Sequence, residues 1–212
     1  KFSSKCWMKI LILNWRDIKN PSSGGAEILT HEIAKRWVRW GHTVTQFSSA
    51  FPHAENNQLI DNVRIIRKGY PDVRWLFRSV HFLAFWYYQL HKNEFDIVID
   101  EIHGISFFTP WYVKQKKAAL VCEVAGELWT KIFGTFFGLF GKKTEQFYLR
   151  YVYQNILCLT ISDSTKKDLI AHGIAEKNII VLPMGITIPS KLGIQKKRGE
   201  NDIDLCWEII RA

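Results

Sequence analysis

Two adjacent glycines, Gly24 and Gly25, stand in the stretch PSSGGAEILTHEIAKRW, Pro21 to Trp37, just after the apolar run MKILILN, Met8 to Asn14. Glycine has no Cβ, so a ligand can come close to the backbone there. If the apolar run is a strand and the later stretch a helix, the pair lies at a helix N-terminus. Unpaired N–H groups and the positive end of the helix dipole favour a phosphate at such a place. A glycine turn that only redirects the chain would read the same way. The fingerprint G-x-G-x-x-G and the lysine-bearing P-loop are both absent, which disfavours a nicotinamide or P-loop site. A second candidate group is DEIHGISFF, where Asp100, Glu101 and His103 close another apolar run. Paired carboxylates are conceivable metal ligands, but there is no D-x-D and no metal ion is expected. Cys6, Cys122, Cys158 and Cys206 are scattered without a C-x-x-C, a pattern of reduced thiols rather than of a disulfide framework or zinc site.

These residues need elements to position them. Strand-like runs cover Lys9–Leu13, Thr43–Phe47, Val63–Arg67, Phe95–Asp100, Ala118–Glu123, Ile156–Ile161 and Asn178–Leu182. Several are continuous β-branched runs, as in strands buried on both faces. Helical periodicity links them. Ala26, Leu29, Ile33, Trp37 and Trp40 form one stripe, ended by Gly41. A second helix is expected over Pro71–His91, and a third is capped by Ser162 or Ser164 and ended by Gly173. The alternation predicts an α/β fold: a Rossmann-like, doubly wound, mostly parallel sheet with helices on both faces. In such sheets ligands bind beyond the carboxyl ends of the strands, where Gly24 and Gly25 fall.

The chain has 212 residues and a formal net charge of +9, which suits anionic partners such as nucleotide phosphates or lipid headgroups, or simply a basic soluble protein. No nucleic-acid-binding motif accompanies the charge, and none of that function is expected. No signal peptide is visible, and no run reaches the roughly 20 apolar residues of a membrane span. Residues 1–7 read as a disordered lead, 8–189 as one domain, and 190–212 as a polar, basic linker or tail ending in what could be one short helix. The expected setting is cytoplasmic, at most peripheral to the inner membrane face.

The order of segments then resembles family 4 glycosyltransferases, retaining enzymes of GT-B architecture. The carrying motifs are GGAE with WGHTVTQF, FDIVIDEIHGISFFTPWYV, and LTISDSTKKDLIAHGIAEKNIIVLPMGI, in register from Met8 to Pro189. The resemblance implies the N-terminal, acceptor-side half of a GT-B enzyme. Its partners would be a nucleotide-sugar, a sugar or lipid-linked acceptor, and a separate donor-binding domain or subunit. It implies that Gly24 and Gly25 contact the donor diphosphate, with no cofactor beyond the nucleotide-sugar and no metal. Family members commonly carry a histidine at the end of the strand that matches Ala118–Glu123, but here Cys122 and Glu123 stand there. Glu123 is the candidate to replace it, as base or as oxocarbenium stabiliser, or else it forms a structural ion pair. His103 is the other catalytic candidate. Glu127 and Trp129 would bind acceptor or simply start a helix, and Ser162 lines the same edge.

One stretch remains outside this scheme. TKIFGTFFGLFGKKTEQFYLRYVYQ places five aromatic or aliphatic side chains among Gly134, Gly138 and Gly141, followed by Lys142 and Lys143. The glycines argue against a stable helix. The segment 131–143 reads as an aromatic loop that either touches a membrane interface, caps an acceptor pocket or packs on the sheet. Two rival functions remain: a non-catalytic binding or recruiting module of the same fold, and a nucleotide-binding oxidoreductase or regulator domain.

Overall fold

The computed structural model describes residues 7–71 and 73–182. The tail, the lead up to Cys6 and the domain end at 189 lie outside the described residues. Eight strands form one sheet in the order β3-β4-β2-β1-β5-β6-β7-β8. They are β1 (Lys9–Leu13), β2 (Thr43–Ser48), β3 (Asn57–Ile60), β4 (Val63–Arg67), β5 (Ile97–Ile102), β6 (Lys116–Val121), β7 (Leu157–Thr160) and β8 (Ile179–Val181). All neighbours run parallel except β3 and β4. The connecting helices are α1 (Gly25–Arg39), α2 (Val80–His91), α3 (Leu128–Tyr151) and α4 (Asp163–Ala171). The architecture is thus Rossmann-like, as the alternation of patterns predicts.

Successive strand residues point to opposite faces, and the two sides bury different helices. Ile10, Ile12, Ile97 and Ile99 pack with Ala34 and Trp37 of α1 on one side. Leu11, Leu13, Phe47 and Val98 pack with Val80, Ala84 and Tyr88 of α2 on the other. Farther along that second side, Ala119, Val121 and Cys158 meet Tyr148 and Leu149 of α3 and Leu169 of α4. α1 ends in a Schellman turn: the His42 N–H donates to Trp37 O at 3.0 Å and the Gly41 N–H to Val38 O at 2.9 Å. Gly41 takes a φ of 98°, which suits a residue without Cβ.

Three elements differ from the sequence expectation. β3 is an added antiparallel strand, joined to β4 by a two-residue turn in which Asp61 and Asn62 have φ of 50° and 63°. Two consecutive positive φ values match the twist a tight hairpin needs, and Asp and Asn tolerate them. The helix expected over Pro71–His91 breaks at Ser79: Val73–Arg78 is a 3-10 turn, and Ser79 Oγ then accepts the Phe82 N–H at 3.3 Å to start α2. The third difference is α3. The glycine-rich stretch is helical on both sides of Gly134, whose φ of 73° and ψ of 176° break the helix. Gly138 and Gly141 lie inside it because the preceding turn folds back on them. A Cβ on Gly138 would sit 2.3 Å from Thr130 Cα, and one on Gly141 would sit 2.4 Å from the Trp129 ring. Close packing, not weak helix propensity, selects glycine at these two positions.

Candidate functional site

The strand order reverses at β1, with β2 on one side and β5 on the other. Loops leaving the carboxyl ends of β1 and β5 diverge there and open a crevice. The first of these loops, 14–24, is firmly held. Asp17 and Arg67, both almost fully buried, form a two-point ion pair at 2.7 and 2.8 Å. Gln46 Nε2 donates to Arg16 O at 3.0 Å, and the Ser22 N–H to Asn20 Oδ1 at 2.9 Å. The Arg16 guanidinium lies 3.9 Å from the Trp15 ring centroid and donates to Ser22 O, two residues before the glycines. Among the described residues, no carboxylate pairs with it.

The loop delivers Gly24 as the N-cap of α1 and Gly25 as its first residue, both exposed. Serine or aspartate at an N-cap would use its side chain to close the first-turn amides. Glycine cannot, so these N–H groups stay open to a ligand. A Cβ at Gly25 would meet nothing within 4 Å. Glu27, three residues after the cap, is buried and reaches back to accept the Gly24 N–H at 2.6 Å. The expected stripe of α1 is therefore turned: Glu27, Thr30, His31, Ala34 and Trp37 are its buried residues.

Beneath this helix start lies Glu101, at the end of β5 and fully buried. Its Oε2 accepts the Thr30 hydroxyl at 2.7 Å, while its Oε1 has no hydrogen-bond partner. Burial pushes its carboxyl up to about 8, and the neighbouring charges of Glu27 and Asp100 act in the same direction. The Asn14 amide and the Thr30 hydroxyl oppose that rise, although Asn14 Nδ2 closes no well-aligned hydrogen bond. Asp100 does something different. It accepts the Phe107 and Thr109 N–H groups at 3.2 Å each, the Thr109 hydroxyl at 2.8 Å and the Tyr153 hydroxyl, and so shapes the 103–109 loop. The two adjacent carboxylates thus face opposite sides of the sheet, which splits them as a ligand pair.

His103 and Glu123 come together across β5 and β6, with His103 Nε2 and Glu123 Oε1 3.9 Å apart. Glu123 is half exposed, and the His103 ring lies 5.7 Å from that of Trp15. His103 Nδ1 and Trp15 Nε1 are buried without partners. Unpaired buried polar atoms are uncommon, and here four of them, with Asn14 Nδ2 and Glu101 Oε1, gather on the β1 and β5 ends. Cys122 sits among Glu101, Glu123 and Glu27; burial and then those carboxylates push its thiol up to about 12, so it is an inert neighbour.

The remaining predicted residues lie along the same rim but are already engaged. Glu127 precedes α3 and pairs with Lys142, whose hydrogen bond holds its carboxyl below the usual range. The Trp129 N–H donates to Glu145 Oε2 at 3.2 Å, and its ring lies on the Gly104 side of the β5 loop. Glu145 also accepts the Ala125 and Gly126 N–H groups at 2.9 and 2.7 Å, tying the β6 exit to α3. Ser162 caps α4, accepting the Thr165 N–H at 3.1 Å. Ser162→Ala is expected to cost about 1 kcal/mol and to lower the thermal midpoint by about 2–4 °C, read in a melting curve. Arg16 and Glu27 are the contributors that motif reasoning passed over, and Glu101, weighed there only as one of a carboxylate pair, instead lies beneath the helix start. The acid in GGAE and the lone cation in NWRD were the signals available.

An open hollow of about 650 Å³ lies on the other side of the loop, lined by Asn20, Pro21, Ser22, Ala50, Phe51 and Tyr70 among others. It is separate from the Glu123–His103 pair. Among the described residues, no three histidine, cysteine or acidic side chains converge as a metal site.

Solved structures share this fold. Sucrose-phosphate synthase from Thermosynechococcus elongatus is 12% identical with a TM-score of 0.62, over 84% of this chain and 48% of that one. Anabaena HepE, solved in complex with UDP and glucose, is 13% identical with a TM-score of 0.54, over 87% and 48%. A glycosyltransferase from Rickettsia africae is 17% identical with a TM-score of 0.55, over 88% and 48%. The chain therefore spans about half the length of these structures. No curated protein matches the sequence significantly. The profile of Glycosyltransferase Family 4 matches residues 23–188, from the glycine loop onward, and the chain belongs to that family.

Proposed function

We propose that this chain is the acceptor-side half of a retaining glycosyltransferase that moves a sugar from a nucleotide-sugar to a sugar or lipid-linked acceptor. A donor-binding domain or subunit would close over the β1–β5 crevice, and the chain alone would be inactive. The observation that carries the reading is the exposed start of α1, with no side chain at its N-cap, at the strand-order reversal. The open amides of Gly25 and of the residues after it in the first turn, with Arg16 behind them, suit a diphosphate. The likeness to HepE, solved with UDP-glucose, supports a nucleotide-sugar as the ligand.

In the reaction the bond from the anomeric carbon to the diphosphate oxygen breaks, and its electron pair leaves with the nucleoside diphosphate. The first-turn amides stabilise the charge that builds on that oxygen, as fixed dipoles needing no reorganisation. The acceptor oxygen bonds to the carbon from the face just vacated. Its proton passes to the departing phosphate oxygen, which same-face attack places beside it. Glu123 faces the positive charge on the sugar, and His103 orients that carboxylate. No metal is required in this scheme.

The test is turnover of nucleotide-sugars by a protein carrying both halves, read as nucleoside diphosphate release, with the product's anomeric configuration read by NMR. Glu123→Gln is expected to lower kcat by about 10²-fold or more, with KM for the donor little changed. An unchanged kcat would remove Glu123 from the mechanism, and an inverted product would overturn the same-face scheme.

A further inference from the structure

Beyond the locked base of α3, the turn at residues 131–137 has no role in the site described above. Residues 131–137 are exposed without interruption, and the ring contact that ties this turn to its base is that of Phe133 with Trp129. Ile132, Phe133, Phe136, Phe137 and Phe140 are each more than half exposed. The segment is nonetheless built. Two helical pieces fold together at Gly134, glycine against backbone at Gly138 and against Trp129 at Gly141, and Glu127–Lys142 and Trp129–Glu145 lock the base. Their joint packing turns the phenylalanines outward.

We propose that this tip inserts into the headgroup region of an anionic lipid bilayer and docks the enzyme at a membrane surface. Phenylalanine brings apolar area and no hydrogen-bonding group, which suits hydrocarbon. A flat protein partner would cover one face of a helix, whereas a tip exposed on all sides fits a medium that closes around it. The charge agrees. Lys131, Lys143 and Arg150 lie on α3 beside Lys142, which pairs with Glu127, and the helix's one acidic residue, Glu145, is buried. Basic residues beside a shallow apolar insertion add attraction to anionic headgroups. No helix among the described residues is long and apolar enough to cross the membrane, so the contact is peripheral. The proposal stands apart from the diphosphate reading, and its test involves no nucleotide.

The 212-residue chain would be sedimented with vesicles of phosphatidylcholine alone, and with about one third phosphatidylglycerol added. The expected result is binding to the anionic vesicles, weakened at least tenfold by Phe136→Ser with Phe137→Ser at an unchanged melting midpoint. Lys131→Gln with Lys143→Gln should weaken binding to anionic vesicles severalfold, and added salt should remove that difference. Phe140→Ser alone gives a milder second variant and should show a smaller loss. Failure to sediment with either vesicle overturns the proposal, as does wild-type binding by the phenylalanine variants. So does a dimer in lipid-free solution that the same variants dissolve, which would make the tip an interface between two copies.

Discussion

Gly25→Val, placed in a protein that carries the donor-binding lobe as well, is expected to lose about 10²–10³-fold in affinity for a nucleoside diphosphate. The fold itself should stay within about 1 kcal/mol of wild type. The two halves of that expectation have separate causes. Gly25 is the first residue of α1, it needs no positive φ, and a Cβ there meets no atom within 4 Å. The isolated fold therefore has room for valine. The binding loss comes from the ligand side. A branched side chain would cover the first-turn amides that the glycine N-cap leaves open. One or two hydrogen bonds to a charged oxygen, each worth about 1.5–3 kcal/mol, would be shielded or lengthened. Gly25→Ala should lose less, since one methyl group leaves a partial approach. Calorimetric titration with the diphosphate reads the affinity, and a melting curve reads the fold. Affinity within twofold of wild type would show that no phosphate sits on this helix start.

The place of the glycine pair at a helix start was legible because it is set locally. A strand, a loop and a helix start could each be read within twenty-odd residues, and the missing Cβ needs no tertiary contact to interpret. The central strands were legible for the same reason: short, β-branched runs such as KILIL, followed by turn residues, suit a parallel strand buried on both faces. What escaped depended on partners far away in sequence. NQLI is half polar, and it becomes β3 only because the Asp61–Asn62 turn pairs it with β4. Gly138 and Gly141 read as helix breakers until Trp129 and Thr130 are found against them. At the site, spacing could not show that Glu101 turns under α1 while Asp100 turns towards Tyr153. Nor could it show that the Trp129 N–H is already spent on Glu145, because that contact spans a helix folded back on itself.

Glu101 is also where the second large effect is expected. Its folded carboxyl holds a proton up to about 8, against 4.5 for an unperturbed one. Between those two values the folded state binds a proton that the unfolded state has released. Stability therefore falls as pH rises through this window, and the stabilising contribution of the protonated form is full below about 4.5 and gone above about 8. At about 1.4 kcal/mol per pH unit, the ceiling of the effect is on the order of 5 kcal/mol. Glu101→Gln keeps the shape and an oxygen for the Thr30 hydroxyl, but it has no proton to lose. At pH 8.5 the variant is expected to be more stable than wild type by roughly 2–4 kcal/mol, and near pH 4 the two should agree within about 0.5 kcal/mol. Asp100 and Glu145 are also buried carboxyls with raised values, but they are common to both proteins and cancel in the difference. Chemical denaturation across pH 4–9 measures it. The same substitution bears on the ligand, because an ionised Glu101 would add a second carboxylate to Glu27 under a helix start that is to receive a diphosphate. Diphosphate affinity of the two-lobed protein should thus fall above pH 8 in wild type and stay level in Glu101→Gln. A variant less stable than wild type at pH 8.5 would mean that Glu101 is ionised and satisfied in the fold, and that the acid beneath the glycine loop repels nothing.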